Sequence, residues 1–597
     1  MAFMRTRSVP LVTGVVLGAL SLDVYEFTGY SGWMLLVWLA GVFALGLYYW
    51  RESSSLPRIS SRDVLAGVAL FVVFAPLYLA HLYEWPVQVI SDEPTIMGVS
   101  DEYSTKDGVD PFGVSAYATR PTLLFIVWGH LGKLMGGIDL SHMRLLHALV
   151  GLLAIVASYY LFGQLLPRGW AMFASSLFGL NHAYLLISRL AMRENTAVLA
   201  EVVALALLLW GLRRGHLFST FLGGIAAGLG FYVYHPGRAA FVLWAVFLGL
   251  LALLYRRQFP LRRIATFGAA SLAGFVMMAG PLLISERKAP PTPREVDPAA
   301  QLLITKEGRE LQRDWLSADS VRDGYLQNVE FGLKTFNSKD VDHGWIYVNP
   351  GHGFVDPLTG ILVWVGVGIV GLGLIFRRRR GEPWPLLMLS SFIVLWLGFA
   401  FLVNQAPKYP RLLIILPFVA YLVTEAVRFV ARQAERLLSR FGRRLDPAPT
   451  VAIASAVLVA IGALNLAIAW DYVDRGRTEG EPIGNTARYV GDRPGQQFYL
   501  VGDENGPYPY FSWGQARWWH DWVARVSPKA ELADPVGSDQ VGTLQPQQPF
   551  TLLMSRSLLS AVGANLADRF PNGRVRNVMP DGTLVAFEVP DERAVSR

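Results

Sequence analysis

The chain of 597 residues contains no cysteine. Disulfide bonds and thiolate metal sites are therefore excluded, because both require cysteine sulfur. Charged residues are also scarce: they make up 17% of the chain, whereas a soluble protein usually has about a quarter. Apolar residues account for 53%, and they form runs of roughly 18 to 22 residues, long enough to cross a bilayer as helices. The sequence therefore predicts a polytopic α-helical membrane protein.

The positive charge of the chain is distributed unevenly. The formal net charge is +7, and arginines are concentrated in short loops between apolar runs, at residues 256–263, 377–380 and 428–444. Such loops are typical of the cytoplasmic side of a membrane, whereas a nucleic-acid-binding protein has a basic face for phosphates. The pattern therefore predicts a membrane orientation and no nucleic acid partner.

About 13 apolar runs alternate between the two sides if the arginine-rich loops are cytoplasmic. The first run is short, so it resembles a signal-peptide core as well as a weak first helix. The runs are residues 9–22, 33–50, 64–83, 145–166, 171–187, 196–212, 218–234, 239–255, 264–284, 358–376, 386–403, 412–429 and 451–470.

Three segments on the predicted outer side are long. The first, residues 84–142, contains an apolar piece (122–135) too short to span a bilayer, which predicts an interfacial or re-entrant helix. The second is residues 285–356, and the third is the tail, where residues 497–501, 550–554 and 583–589 predict strands. We expect an N-terminal helix pair (1–63), a membrane module (64–470) and a small extracytoplasmic α/β domain (471–597).

Two adjacent carboxylates, Asp92 and Glu93, follow the apolar run at residues 64–83 and stand between Ser91 and Pro94. Carboxylates beside a bilayer are costly unless they are solvated, paired or used in chemistry. A solvated pair at the start of a helix is the structural interpretation. An active site on the outer side is the functional one.

Two further clusters allow both kinds of interpretation. His343 and His352 lie near several aspartates, which suggests a metal, but their spacing matches no ligand motif and a polar cover over the outer face explains them. Four tail tryptophans are dense enough to stack on sugars, and packing of the tail onto the membrane face explains them as well. They are Trp513, Trp518, Trp519 and Trp522.

A glycine pattern at residues 366–371 matches the GxGxxG motif of dinucleotide-binding loops. It lies inside an apolar run, so we interpret it as close packing between helices, like Gly224 and Gly228. The motif therefore does not predict a nucleotide site.

Several segments together resemble the GT-C glycosyltransferase superfamily, in particular the bacterial family 39-like enzymes. These are related to the protein O-mannosyltransferases and to the lipid-A aminoarabinose transferases. The segments are the acidic pair Asp92-Glu93, the basic residue before proline in 117–121, the apolar helix after it, residues 188–194, and residues 408–417. The similarity covers roughly residues 64–429. The chain departs from the family pattern at Thr122, where a second proline is usual, at Glu194, where aspartate is commoner, and in its additional N-terminal helix pair.

The resemblance implies a membrane enzyme of GT-C type that transfers a sugar from a polyprenyl-phosphate donor to an acceptor hydroxyl. The active site would lie on the extracytoplasmic side of the cell membrane. Asp92 would be the general base, Glu93 would orient Asp92, contact the acceptor or ligate a metal, and Glu194 would be a second acidic group. Cations for the donor phosphate are implied at Arg120, Arg189, Lys408 and Arg411. No cofactor is assigned with certainty, a divalent metal is left open, and the acceptor is a protein, a lipid or a glycan.

A structural alternative exists for each of these side chains. Arg189 and Glu194 would also fit a salt-bridge cluster at helix ends, and Glu201, further along the same helix, would fit a buried contact between helices or part of the cavity. Anchoring to lipid head groups explains the other cations, namely Arg120, Lys408 and Arg411. A similar outer cluster comprises Tyr234, His235 and Arg238.

A multi-pass transporter or flippase of a lipid-linked or polar substrate is the alternative function. Transporters place ionisable groups near the membrane midplane on broken helices, often in repeated halves. Here the ionisable clusters lie at the predicted outer edges, and no repeat is visible in the sequence. A non-catalytic assembly protein that kept the same scaffold is a third interpretation.

Overall fold

The computed structural model describes residues 2–53, 59–90, 92–115, 120–289, 301–338, 351–376, 382–440, 448–478, 482–502, 513–528, 531–545 and 549–590. Helices dominate, in chain order α1 (Ala2–Thr28), α2 (Gly32–Arg51), α3 (Ser61–Leu79), α4 (Asp92–Thr105), α5 (Thr122–Leu134), α6 (Leu140–Phe162), α7 (Arg168–Leu180), α8 (His182–Ser188), α9 (Glu194–Arg214), α10 (Leu217–Leu229), α11 (Ala239–Leu254), α12 (Leu261–Lys288), α13 (Lys306–Leu316), α14 (Val321–Lys334), α15 (Pro357–Phe376), α16 (Pro385–Leu402), α17 (Tyr409–Leu412), α18 (Leu416–Arg440) and α19 (Ala448–Thr478). Short 3-10 turns lie at Gly230–Tyr232, His235–Arg238 and Leu413–Ile415.

Eleven helices in these ranges are long and apolar enough to cross a membrane, and the bent pair α7–α8 makes a twelfth if it is one span. The polytopic helical fold is confirmed, whereas the expected count of about 13 spans is not. The run at 171–187 is broken where the Asn181 side chain caps α8, and its two helices meet at 65°. The run at 218–234 forms α10, whose 13 residues extend roughly 20 Å, less than the ~30 Å hydrocarbon core.

Close packing between the helices depends on glycine. A Cβ added at Gly224 of α10 would lie 2.1 Å from the Ser271 carbonyl oxygen of α12. A Cβ added at Gly366 would lie 2.1 Å from the carbonyl oxygen of Leu422, so α15 packs directly on the backbone of α18. Gly366 of the pattern at 366–371 is therefore in close helix contact, as predicted, whereas a Cβ added at Gly368 would meet nothing within 4 Å.

The tail forms a small α/β domain, as predicted. Its elements are α20 (Pro482–Gly491), β1 (Gln497–Gly502), α21 (Trp513–Val526), β2 (Glu531–Leu532), β3 (Val536–Gly537), β4 (Phe550–Ser555), α22 (Arg556–Arg569), β5 (Arg574–Asn577) and β6 (Leu584–Val589). The predicted strands at 497–501, 550–554 and 583–589 correspond to β1, β4 and β6. The strands have the order β2-β1-β4-β6-β5, with β3 also beside β1. Strands β2, β3 and β4 run parallel to β1, and β6 runs antiparallel to both β4 and β5.

The α/β domain shares a hydrophobic core with the membrane helices. Ile483 of α20, and Trp519 and Val523 of α21, are buried in the same cluster as the side chains of α6 and α9. The last membrane helix, α19, extends to Thr478, so it continues past the domain boundary expected at residue 471. The α/β domain is therefore packed against the membrane helices through buried apolar side chains.

Candidate functional site

Four of the predicted site residues lie at the starts of helices. Asp92 is the first residue of α4, and Glu194 is the first residue of α9. Lys408 is the N-cap of α17, and Arg120 stands two residues before α5. The free amide groups of a helix N-terminus carry partial positive charge and favour carboxylates and phosphates nearby. The backbone at these positions therefore favours anions.

The surroundings of Lys408 show that these residues converge. Burial is the largest influence on the pKa of Lys408, which lies at about 7, and the positive charge of Arg411 also lowers it. Asp92 and Glu194 raise the same pKa, and Arg120 lowers it. Such charge effects reach only over short distances. The structure therefore brings together five predicted residues, which we call the charged cluster: Asp92, Arg120, Glu194, Lys408 and Arg411.

The two cations that precede α18 are held by neutral oxygens. The Lys408 Nζ donates to the Gln405 side chain at 3.0 Å. The Arg411 guanidinium donates to the Asn404 side chain at 3.2 Å and also to the Gln301 side chain. An amide oxygen accepts a hydrogen bond without neutralising charge. These contacts therefore fix both side chains in place and leave their charge available to an anion.

Tyr234 and Arg193 also belong to this region. The Arg193 guanidinium lies 5.3 Å from the centre of the Tyr234 ring, and the charge of Glu194 adds to the burial that raises the pKa of Tyr234. Arg238, which the sequence grouped with Tyr234, is instead engaged by Glu286, with Nη1 and Oε2 3.1 Å apart. Tyr234 is therefore the member of that outer cluster that is tied to Glu194.

Glu93 is fully buried against Arg144. Its two carboxylate oxygens accept hydrogen bonds from Nε and Nη2 of Arg144, each at 2.8 Å. The backbone N–H groups of Ala191 and Ile90 donate to the same two oxygens at 2.7 and 3.1 Å. The structure thus places Glu93 in a buried ion pair with Arg144. Its role in orienting Asp92, contacting the acceptor or ligating a metal stays a prediction.

Arg189 is also occupied by the protein itself. Its Nε and Nη2 donate to the Trp85 carbonyl at 3.1 and 2.9 Å, and its other donors reach the carbonyls of Leu77 and Ala80. These oxygens belong to the end of α3 and the turn after it, where a helix leaves its carbonyls without internal partners. Burial lowers the pKa of Arg189 to about 10. Arg189 therefore caps α3 with the donors that these contacts use, and its contact with the donor phosphate stays a prediction.

The segment between α3 and α4 is held by three arginines from distant parts of the chain, namely Arg144, Arg189 and Arg488. Arg488 of α20 donates to the Val87 carbonyl at 2.6 Å. Arg144 donates to three more carbonyls at 2.7 to 2.9 Å, those of Leu82, Pro86 and Gln88. Buried carbonyls need such partners where no helix or sheet supplies them. The arginines therefore fix the irregular backbone that delivers Asp92 to the charged cluster.

Arg144 and Arg488 were missed from the sequence. A signal for Arg144 exists, because an arginine at the edge of an apolar run is costly unless it is paired. Arg488 lies in an ordinary amphipathic helix, and its sequence context carries no comparable signal.

The possibility of a metal finds no support in the described ranges. No group of three or more histidine, aspartate or glutamate side chains that could hold an ion occurs there. His352 lies with its Nε2 3.0 Å from Oδ2 of Asp471, which also accepts a hydrogen bond from Arg475. His343 lies outside the described residues.

Glu201 is fully buried in α9, beyond Glu194 along the same helix. Its two carboxylate oxygens have no hydrogen-bond partner among the residues that the structure describes. Glu201 lies seven residues, or about 10 Å, further along α9 than Glu194. It is therefore an intramembrane carboxylate separate from the charged cluster.

The fold and the site define a class: a polytopic helical membrane protein in which carboxylates and cations meet at helix N-termini, beside a small α/β domain. Residues 120–282 match the family described as dolichyl-phosphate-mannose-protein mannosyltransferase. The matched segment contains Arg120 and Glu194, whereas Asp92 and Lys408 lie outside it. The match confirms, for that segment, the resemblance predicted from the sequence.

Several solved structures are similar to the chain at low sequence identity. ArnT from Cupriavidus metallidurans bound to undecaprenyl phosphate is 15% identical, with 89% of this chain and 99% of that chain covered and a TM-score of 0.47. The oligosaccharyltransferase AglB from Archaeoglobus fulgidus, in complex with an inhibitory peptide and a dolichol-phosphate, is 12% identical, with coverages of 89% and 74% and a TM-score of 0.48. The arabinosyltransferase EmbB from Mycobacterium smegmatis is 11% identical, with coverages of 75% and 45% and a TM-score of 0.44. No curated protein matches the chain.

Proposed function

We propose that the protein is a glycosyltransferase that moves a sugar from a polyprenyl-phosphate donor to an acceptor hydroxyl. The observation that carries the proposal is the charged cluster, in which Asp92 and Glu194 lie within electrostatic reach of three cations. The family that matches residues 120–282 is described as using a dolichyl-phosphate sugar, which is a donor of this chemical class.

The chemistry requires one base and a site for developing negative charge. Asp92 accepts the proton of the acceptor hydroxyl, whose oxygen attacks the anomeric carbon of the donor sugar. The bond between that carbon and the phosphate oxygen breaks, and the lipid phosphate leaves with additional negative charge. Arg120, Lys408 and Arg411 stabilise this charge because fixed cations act most strongly where water is excluded.

The same geometry supports an extracytoplasmic site in the cell membrane. Helix α9 begins in the charged cluster at Glu194 and ends at Arg213 and Arg214. If these arginines mark the cytoplasmic side, a helix of this length carries Glu194 to the opposite face. A lipid-linked donor is then required there, because it is delivered within the bilayer.

The direct test uses purified protein in liposomes that contain a radiolabelled polyprenyl-phosphate mannose. We expect release of polyprenyl phosphate together with transfer of the label to an acceptor present in a membrane extract. Movement of the intact lipid-linked sugar across the bilayer, without cleavage, would instead favour the flippase alternative.

The pKa of Lys408, at about 7, predicts a pH dependence of donor binding. As the pH rises from about 6 to 8.5, Lys408 loses its proton, so we expect the KM for the donor to increase by up to about tenfold per pH unit above the pKa. The variant Lys408→Arg should abolish this increase, because a guanidinium stays charged. The exposed control Lys106→Arg should keep the profile of the natural protein. Identical profiles for the Lys408 variant and the natural protein would contradict the assignment.

A further inference from the structure

A cavity of about 700 Å³ lies between α4 and α21 of the α/β domain, and Asp92 is part of its lining. Its lining is mainly acidic, whereas three of the five residues of the charged cluster are cations. Four carboxylates, one arginine and one tryptophan face it together with the backbone of α4. The charged and aromatic residues are Asp92, Asp101, Glu102, Asp521, Trp522 and Arg525.

We propose that this cavity binds the acceptor and that the acceptor is a neutral saccharide. The proposal rests on the proposed function for the role of Asp92, which stands at the boundary between the cavity and the charged cluster. The volume suits a small ligand, since ligand pockets range from about 300 to 1,000 Å³. A hydroxyl held in the cavity would lie beside Asp92, while the donor phosphate lies among the cations.

The lining chemistry selects the class of ligand. Trp522 is partly buried, and its ring offers an apolar surface against which the C–H face of a sugar can pack. Carboxylates such as Asp521 and Glu102 accept hydrogen bonds from sugar hydroxyls. The same carboxylates repel phosphate and carboxylate groups, so an anionic acceptor is disfavoured.

The position of the cavity is set by packing between the two parts of the protein. A Cβ added at Gly98 of α4 would lie 2.7 Å from Cζ of Arg525. The Arg525 guanidinium therefore packs directly on the backbone of α4, where Gly98 has no side chain. Trp519 and Val523, on the same helix as Trp522, are buried in the shared hydrophobic core. Of the two tail tryptophans whose side chains the structure describes, Trp519 therefore packs and Trp522 faces the cavity.

The test measures binding rather than turnover, with the full chain in a detergent that contains no sugar. The probes are neutral trisaccharides (mannotriose, maltotriose and cellotriose), the anionic trigalacturonate and a serine- and threonine-rich peptide. We expect titration calorimetry to show binding of at least one neutral trisaccharide and none of trigalacturonate. Trp522→Ala should weaken that binding by about tenfold or more, and Trp522→Phe by much less, because a phenyl ring keeps the apolar face.

Two charge variants complete the design. Glu102→Gln, at an exposed position, should weaken saccharide binding several-fold, whereas Asp568→Asn, exposed on α22, should leave it unchanged. Absence of binding by every neutral trisaccharide, binding of the peptide alone, or binding unaffected by Trp522→Ala would overturn the proposal. Saccharide binding by a protein that never cleaves the lipid donor would refute the proposed function but leave the cavity assignment intact. Cleavage of the donor by a protein that binds no saccharide would refute the cavity assignment and leave the proposed function intact.

Discussion

Replacing Asp92 with asparagine is expected to lower kcat for sugar transfer by about a thousandfold, because a positioned general base contributes roughly 10²–10⁴ to the rate. Asparagine keeps the size of the side chain and cannot take a proton. The KM for the donor should rise far less than kcat falls, because loss of the Asp92 charge lowers the pKa of Lys408 while Arg120 and Arg411 stay charged. The measurement is single-turnover cleavage of the lipid donor in the presence of saturating acceptor.

The matched control is Asp107→Asn, an exposed aspartate shortly after the end of α4, which should retain normal turnover. A second variant, Asp92→Gly, tests the role of the proton directly. Added formate should restore part of its activity if a missing base is the defect, and formate has no such effect on a merely misfolded site. Turnover of Asp92→Asn within a few-fold of the natural protein would remove Asp92 from the role of base.

The apolar runs predicted most of the membrane helices, because a span leaves a composition signal about 20 residues long. The apolar runs failed to predict a helix break where a polar side chain lies inside a run. The Asn181 side chain accepts a hydrogen bond from the Tyr184 amide and so starts a new helix inside one apolar run. Hydropathy averaged over a window does not detect such a cap.

The family resemblance proposed the five residues of the charged cluster, but it also placed Glu93 in the site beside Asp92. The two residues occupy successive positions on α4, about 100° apart around the helix axis. One side chain therefore takes part in the charged cluster while the other is buried against Arg144. Which carboxylate takes which position depends on how α4 packs against α6, and adjacency in sequence contains no information about that packing.

Arg189 illustrates a different limit. Its position beside Glu194 suggested phosphate binding, yet its donors are used by carbonyls more than a hundred residues earlier in the chain, at Leu77, Ala80 and Trp85. An arginine near an outer helix end can bind a phosphate or donate hydrogen bonds to backbone carbonyls. Only the path of the backbone around it shows which of these partners it has.

Breaking the buried pair of Glu93 and Arg144 is expected to cost about 3–5 kcal/mol of the free energy of unfolding, because one buried charge is left without its partner. Both Glu93→Gln and Arg144→Met should show this loss in SDS titrations of the protein in mixed micelles. Arg144→Met should be the more severe, since it also removes the donors to Leu82, Pro86 and Gln88.

The double variant distinguishes a charge pair from two independent contacts. If the pair is the source of the effect, combining Glu93→Gln with Arg144→Met should cost clearly less than the sum of the single losses, because no buried charge remains. The control is the exposed ion pair of Lys334 and Glu330, whose disruption should cost at most about 1 kcal/mol. Additive losses would show that the ion pair is not what stabilises this region. A Glu93→Gln variant with normal stability and no turnover would return Glu93 to a catalytic role, since its effect could then not pass through the backbone that holds Asp92.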